Sequence, residues 1–205
     1  MIARENLGYY TGILVGAVYE FSAAQGGGLD PRSARSFTGP LHRCVQQLPW
    51  LSVVVRNPGD EKKAGYAAVG AIDVEKHVVV LEDDGGTDDD KDEDRWLEAR
   101  LQPLLDGQWP ADRPPWRIAV CPLPSRGEPT PISRCLVAFV FCHSIGDGLC
   151  GNIFHRVFLE ALRQGAASGA DDASTTLIEV PSRALPGPFD TPARLPISWS
   201  FLLPP

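Results

Sequence analysis

Six consecutive residues of this chain have the types and spacing to do chemistry: His143-Ser144-Ile145-Gly146-Asp147-Gly148. An imidazole that titrates near physiological pH can take a proton from an attacking hydroxyl or amine. When the electrophile is already activated, as a thioester is, that one base suffices and no covalent serine or cysteine intermediate is required. Asp147, four residues after the histidine, can order the turn through a buried ion pair or through backbone N–H groups at a helix start. Gly146 and Gly148 are read here as letting the chain reverse sharply.

The flanking residues say what must position this histidine. Residues 135–142 (CLVAFVFC) are all apolar, as expected of a strand buried on both faces. After the hexapeptide, Leu149, Ile153, Phe154, Val157, Phe158, Ala161 and Leu162 recur at helical spacing, and Gly165 reads as the closing cap. The histidine is therefore expected at the end of a core strand, immediately before a helix, where its backbone is fixed while its ring faces a cleft.

Elsewhere, residues 8–21, 51–55, 66–72, 77–81 and 118–123 read as strands, with 66–72 and 77–81 a possible pair. Residues 41–48 and 96–105 read as helices, the second weakened by Pro103, and 57–60 as a turn. Residues 166–173 read as a small-residue loop, and the last thirty residues carry no clear element. This alternation predicts an α/β (α+β) two-layer arrangement, a mixed sheet with helices packed on it.

Competing chemistries fit less well. Residues 142–146 resemble the G-x-S-x-G nucleophile elbow, but Cys142 stands where the first glycine belongs. The only later histidine, His155, lies along the same helix, so a triad is hard to build. Cys142, His143, Cys150 and His155 match no zinc spacing; His155 on the amphipathic helix reads as a packing or surface residue, and His42 and His77 carry no partner pattern. Asp88, Asp90 and Asp92 have calcium-loop spacing, yet Glu93 and Ala99 occupy the positions that need glycine and glutamate. No metal ligand set is expected.

Length and composition set the bounds. The 205 residues allow one substantial core or two small ones, and 43% hydrophobic content is ordinary for a globular chain. Residues 82–94 hold nine acidic residues and one lysine, a net of −8 against −7 for the whole chain. The remainder is thus near neutral and shows no footprint for nucleic acid. Five cysteines, an odd number without a CxxC pair, favour a reducing, cytoplasmic setting. The apolar run at 12–18 is too short to span a membrane and lacks the flanks of a signal peptide.

The motif at 143–148 matches the H-x-x-x-D-G signature of the CoA-dependent acyltransferase superfamily, and the order of further matches extends the resemblance. Residues 4–10 (RENLGYY), 41–51 ending in LPWL, Pro115-Trp116-Arg117, and Phe154-His155 with 159–162 resemble the fungal alcohol acetyltransferase-like branch. The resemblance implies a chloramphenicol acetyltransferase-like single lobe, an acyltransferase with His143 as general base and Asp147 in a structural role beside an arginine, Arg117 and Arg56 being candidates. Gly146 and Gly148 would support the site. It implies acyl-CoA as co-substrate with no tightly bound cofactor, and a small alcohol or secondary metabolite as acceptor. Residues 1–180 would form the N-terminal lobe. Residues 181–205, rich in proline, would lead toward a second lobe whose D-F-G-W-G motif is absent from these 205 residues. A homodimer or a partner chain would then complete the site. The alternative is a repurposed or truncated lobe that binds a small molecule, or that uses His143 as acid/base in an isomerisation or cyclisation.

Overall fold

The apolar run ahead of His143 is a central strand of a four-stranded sheet. The computed structural model describes residues 12–21, 30–60, 63–81, 90–123, 134–168 and 175–185. In chain order the elements are β1 (Gly12–Glu20), α1 (Thr38–Gln47), β2 (Val53–Arg56), β3 (Gly65–Ala68), β4 (Ala71–Asp73), β5 (Val78–Val80), α2 (Asp90–Leu105), β6 (Trp116–Leu123), β7 (Arg134–Cys142), α3 (Gly148–Ser168) and β8 (Leu177–Glu179). The main sheet runs β1-β7-β6-β5. β7 is antiparallel to both β1 and β6, and β5 is parallel to β6. The expected mixed α/β fold, a mixed sheet with helices packed on it, is the fold observed.

Side-chain alternation divides the sheet into two faces. Cys135, Val137, Phe139 and Phe141 of β7 face the main core with residues of α1 and α3. Rings stack through its centre: Phe139 lies 4.0 Å from Phe154 and 4.8 Å from Phe141 between centroids. Burying each such ring stabilises the fold by about 1.5–3 kcal/mol. On the opposite face Cys121, Leu123 and Leu136 form a smaller cluster under Trp96, Leu97 and Leu101 of α2. β7 is thus covered on both sides, as its unbroken apolar sequence demands.

Two features fix α3 against β1. A Cβ at Gly151 would sit 2.3 Å from Val15 Cγ2, so only glycine allows this approach. One turn on, His155 Nε2 donates to the Val15 carbonyl at 2.9 Å, and the Tyr19 hydroxyl donates to its Nδ1 at 2.8 Å. His155 is therefore a packing residue with both ring nitrogens committed, and burial lowers its pKa.

The structure departs from the sequence reading in several places. The expected strand at 66–72 breaks at Val69 and Gly70. Its first half pairs with β2 and its second half, β4, pairs with β8. The segment at 77–81 does not join it. As β5 it pairs parallel to β6, an arrangement that needs the long crossover supplied by α2. The last thirty residues do contribute an element, since Ile178 of β8 is fully buried. Arg183 just beyond it donates to the Val45 and Gln46 carbonyls, which α1 leaves open at its C-terminal end. Gly165 does not close α3, which runs on to Ser168; one interior glycine costs about 1 kcal/mol, too little to stop a well-packed helix. α2 starts at Asp90 and tolerates Pro103 in its last turn. The 57–60 turn is present, closed by the Asp60 N–H on the Asn57 carbonyl, with Asn57 at φ 50°. The segments at 4–10, 82–89 and 186–205 lie outside the described residues. Among the described residues no helix is long and apolar enough to cross a membrane.

Candidate functional site

His143 follows the last residue of β7. The turn that carries it closes with the Ile145 N–H on the Cys142 carbonyl at 3.1 Å, while the Cys142 N–H is bound to the Pro115 carbonyl. The Ser144 hydroxyl donates back to the Cys142 sulfur at 3.0 Å, so it is directed into the turn rather than presented as a nucleophile. Ile145 anchors the turn in the core. From the β2–β3 hairpin, the Tyr66 hydroxyl donates to the Ser144 carbonyl at 2.5 Å.

Neither Gly146 nor Gly148 adopts a left-handed backbone. Gly146 is demanded by crowding instead: a Cβ there would lie 2.9 Å from Cys150 Cβ and 3.3 Å from the Phe141 ring. A Cβ at Gly148 would meet open space, so packing gives no reason for glycine at that position.

Asp147 lies at the mouth of α3, exposed to solvent. One of its oxygens accepts from the Leu149 N–H at 3.0 Å and the Cys150 N–H at 3.2 Å, which is N-cap geometry. These bonds, that from Cys150 foremost, hold its carboxyl below the ordinary carboxylate range. Among the described residues no arginine pairs with it. Arg117 lies over the Trp109 ring at 4.5 Å, and Arg56 is exposed on β2. The carboxylate thus orders the turn through backbone N–H groups, one of the two routes its position allowed. Asp147→Ala is expected to lower the thermal midpoint by a few degrees, and Asp147→Asn, which keeps a capping oxygen, by less. Circular dichroism melts check this, and an unchanged midpoint in the alanine variant would exclude the capping role.

The reactive group left over is the imidazole. His143 Nδ1 is buried and has no hydrogen-bond partner. Nothing in the described structure therefore locks the tautomer or uses the ring as a structural link. Two large apolar side chains near the turn face solvent, Tyr66 at 46% and Leu149 at 65% exposure. Burial raises the pKa of Cys150, which disfavours a thiolate nucleophile there. All five cysteines are free, and among the described residues no group of three or more His, Cys, Asp or Glu could hold a metal ion.

Sequence reading did not single out Tyr66, whose partner is 78 residues away, or Gly151. The anomaly of a glycine inside a strongly apolar helix could have drawn attention to the latter.

No family model matches the sequence, and no curated protein matches it. Solved structures do. A chain from the complex of the X-domain and OxyB from teicoplanin biosynthesis is similar at a TM-score of 0.51 and 15% identity, over 89% of this chain and 33% of that one. A chain from a structure describing condensation domain-mediated chain release from the enacyloxin polyketide synthase gives a TM-score of 0.49 and 13% identity, over 79% of this chain and 29% of that one. A probable dihydrolipoamide acetyltransferase from Listeria monocytogenes 4b F2365 gives 0.38 and 10%, over 85% and 91%. At such identity the first of these shows a shared fold. This chain spans about a third of the length of the first two.

Proposed function

We propose that this chain is an acyltransferase-type lobe in which His143 is the general base for acyl transfer from a CoA thioester to a small alcohol. The observation that supports this best is the state of His143 itself. It is an imidazole at the end of a core strand, on a turn tied down on several sides, with a buried nitrogen that serves no structural bond. Such a group is positioned by the scaffold and free for chemistry.

In the proposed reaction the alcohol oxygen attacks the thioester carbonyl as the imidazole takes the hydroxyl proton. The tetrahedral intermediate then collapses, the carbon–sulfur bond breaks, and the imidazolium returns the proton to the leaving thiolate. The products are an ester and free CoA, and the base is regenerated. Asp147 takes no part in this proton transfer; it holds the helix mouth that ends the turn.

The test is acyl transfer by the intact chain from acetyl-CoA to primary alcohols, from ethanol to 1-octanol, read as release of free thiol. Release above the alcohol-free background is expected. The absence of both thiol release and calorimetric binding of acetyl-CoA would overturn the reading. Because exposed Tyr66 and Leu149 lie near the His143 turn, a second copy completing the site is a further part of the proposal. Sedimentation velocity should then show a dimer, and a strict monomer would remove that part.

A further inference from the structure

The His143 ring makes no hydrogen bond among those the structure gives, so its direction depends on the backbone that carries it. From the end of β7 that backbone is held by the Ile145 N–H on the Cys142 carbonyl and by the Ser144 N–H on the Cys142 sulfur, a weak acceptor that the Ser144 hydroxyl also bonds. The strongest tie comes from outside the motif. Tyr66 sits on β3, and its hydroxyl donates to the Ser144 carbonyl at 2.5 Å. Its ring is only half covered, although burial would be the ordinary fate of a tyrosine kept for packing.

We infer that Tyr66 is a positioning residue for His143: its hydroxyl fixes the Ser144 carbonyl, and through it the orientation of the preceding imidazole, from the β2–β3 hairpin. The inference rests on the reading of His143 as a base but concerns a different residue and a different element. β2 and β3 pair only with each other, over four residues each, in a two-stranded sheet apart from the main one. The hairpin therefore acts as a strut that reaches the motif through the Tyr66 hydroxyl.

The experiment removes that hydroxyl alone. In Tyr66→Phe of the full chain, the NMR α–β proton couplings of His143 are expected to move from values of one rotamer toward rotamer-averaged values. With acetyl-CoA and a primary alcohol, kcat should fall about tenfold, the scale of one lost hydrogen bond, with KM unchanged. Wild-type couplings in Tyr66→Phe overturn the inference whatever the kinetics. A change confined to KM also overturns it, because that would make Tyr66 a substrate contact. The His143→Ala variant separates the two ideas. If it turns over like the wild type, the base reading falls, while the His143 couplings in Tyr66→Phe still decide the positioning role.

Discussion

Replacing His143 with alanine is expected to lower acyl transfer by about 10²–10⁴-fold, the usual contribution of a positioned general base. The thermal midpoint should stay where it is or rise slightly. The two halves of this expectation come from the same geometry. The histidines kept for structure bond through their ring nitrogens, His155 through both, between Tyr19 and Val15, and His77 through Nδ1 to the Trp116 carbonyl. His143 Nδ1 instead lies buried without a partner. An unpaired buried polar atom costs about 1–3 kcal/mol, so its removal relieves the fold rather than weakening it. If His143 is the proposed base, the loss of activity should appear in kcat, since the imidazole acts as the proton moves. The measurement is steady-state thiol release beside a thermal melt. Full turnover in the alanine variant would exclude the base, and a large fall in midpoint would show a structural role that the geometry does not predict.

How much of this was legible in the sequence follows from how local each feature is. β7 and α3 were readable because their apolar periods are unbroken: eight consecutive apolar residues at 135–142, then a helical repeat from Leu149 to Leu162. The position of His143 between them followed directly. The small strands were not readable in the same way. Gly65–Ala68 and Ala71–Asp73 read as one strand because only two residues separate them, yet they pair with different partners, and one of those, β8, lies more than a hundred residues away. Three residues at 177–179 carry too little pattern to announce a strand; the burial of Ile178 under the rest of the fold creates it.

The site shows the same division. The place of Asp147 at the helix mouth was local and legible. Its partner was not: the resemblance suggested an arginine, whereas the described structure gives two backbone N–H groups of its own helix. The requirement for Gly146 was legible as a glycine but not in its cause, which is contact with Cys150 and Phe141 rather than backbone handedness. Tyr66 was invisible because nothing in GYAA marks a hydroxyl that reaches Ser144. His77 carries no partner pattern in the sequence, yet it is among the most buried polar groups described.

Acidification is expected to cost the fold roughly 3 kcal/mol through His77 alone. His77 is 1% exposed, its ring lies 4.1 Å from that of Trp116, and its Nδ1 donates to the Trp116 carbonyl at 2.8 Å. Burial, the largest cause, lowers its pKa from 6.5 to about 4. The bond to Trp116 and the charge of Asp73 oppose this, while Arg113 and Arg117 add to it. The folded protein therefore prefers the neutral ring more strongly than the unfolded chain does. The stability this contributes is complete above about pH 6.5 and is lost as pH falls through about 4, because in that window the unfolded chain binds the proton first. The loss acts on the core directly, since Trp116 also ties Leu51 through its indole N–H at 2.7 Å. Urea unfolding of wild type and His77→Gln across this range isolates the effect, as His155 titrates in both proteins. The glutamine variant should be the less stable near pH 7, and its deficit should shrink by roughly 3 kcal/mol toward pH 4. Stability curves that stay parallel over the whole range would show that His77 does not titrate as its burial requires.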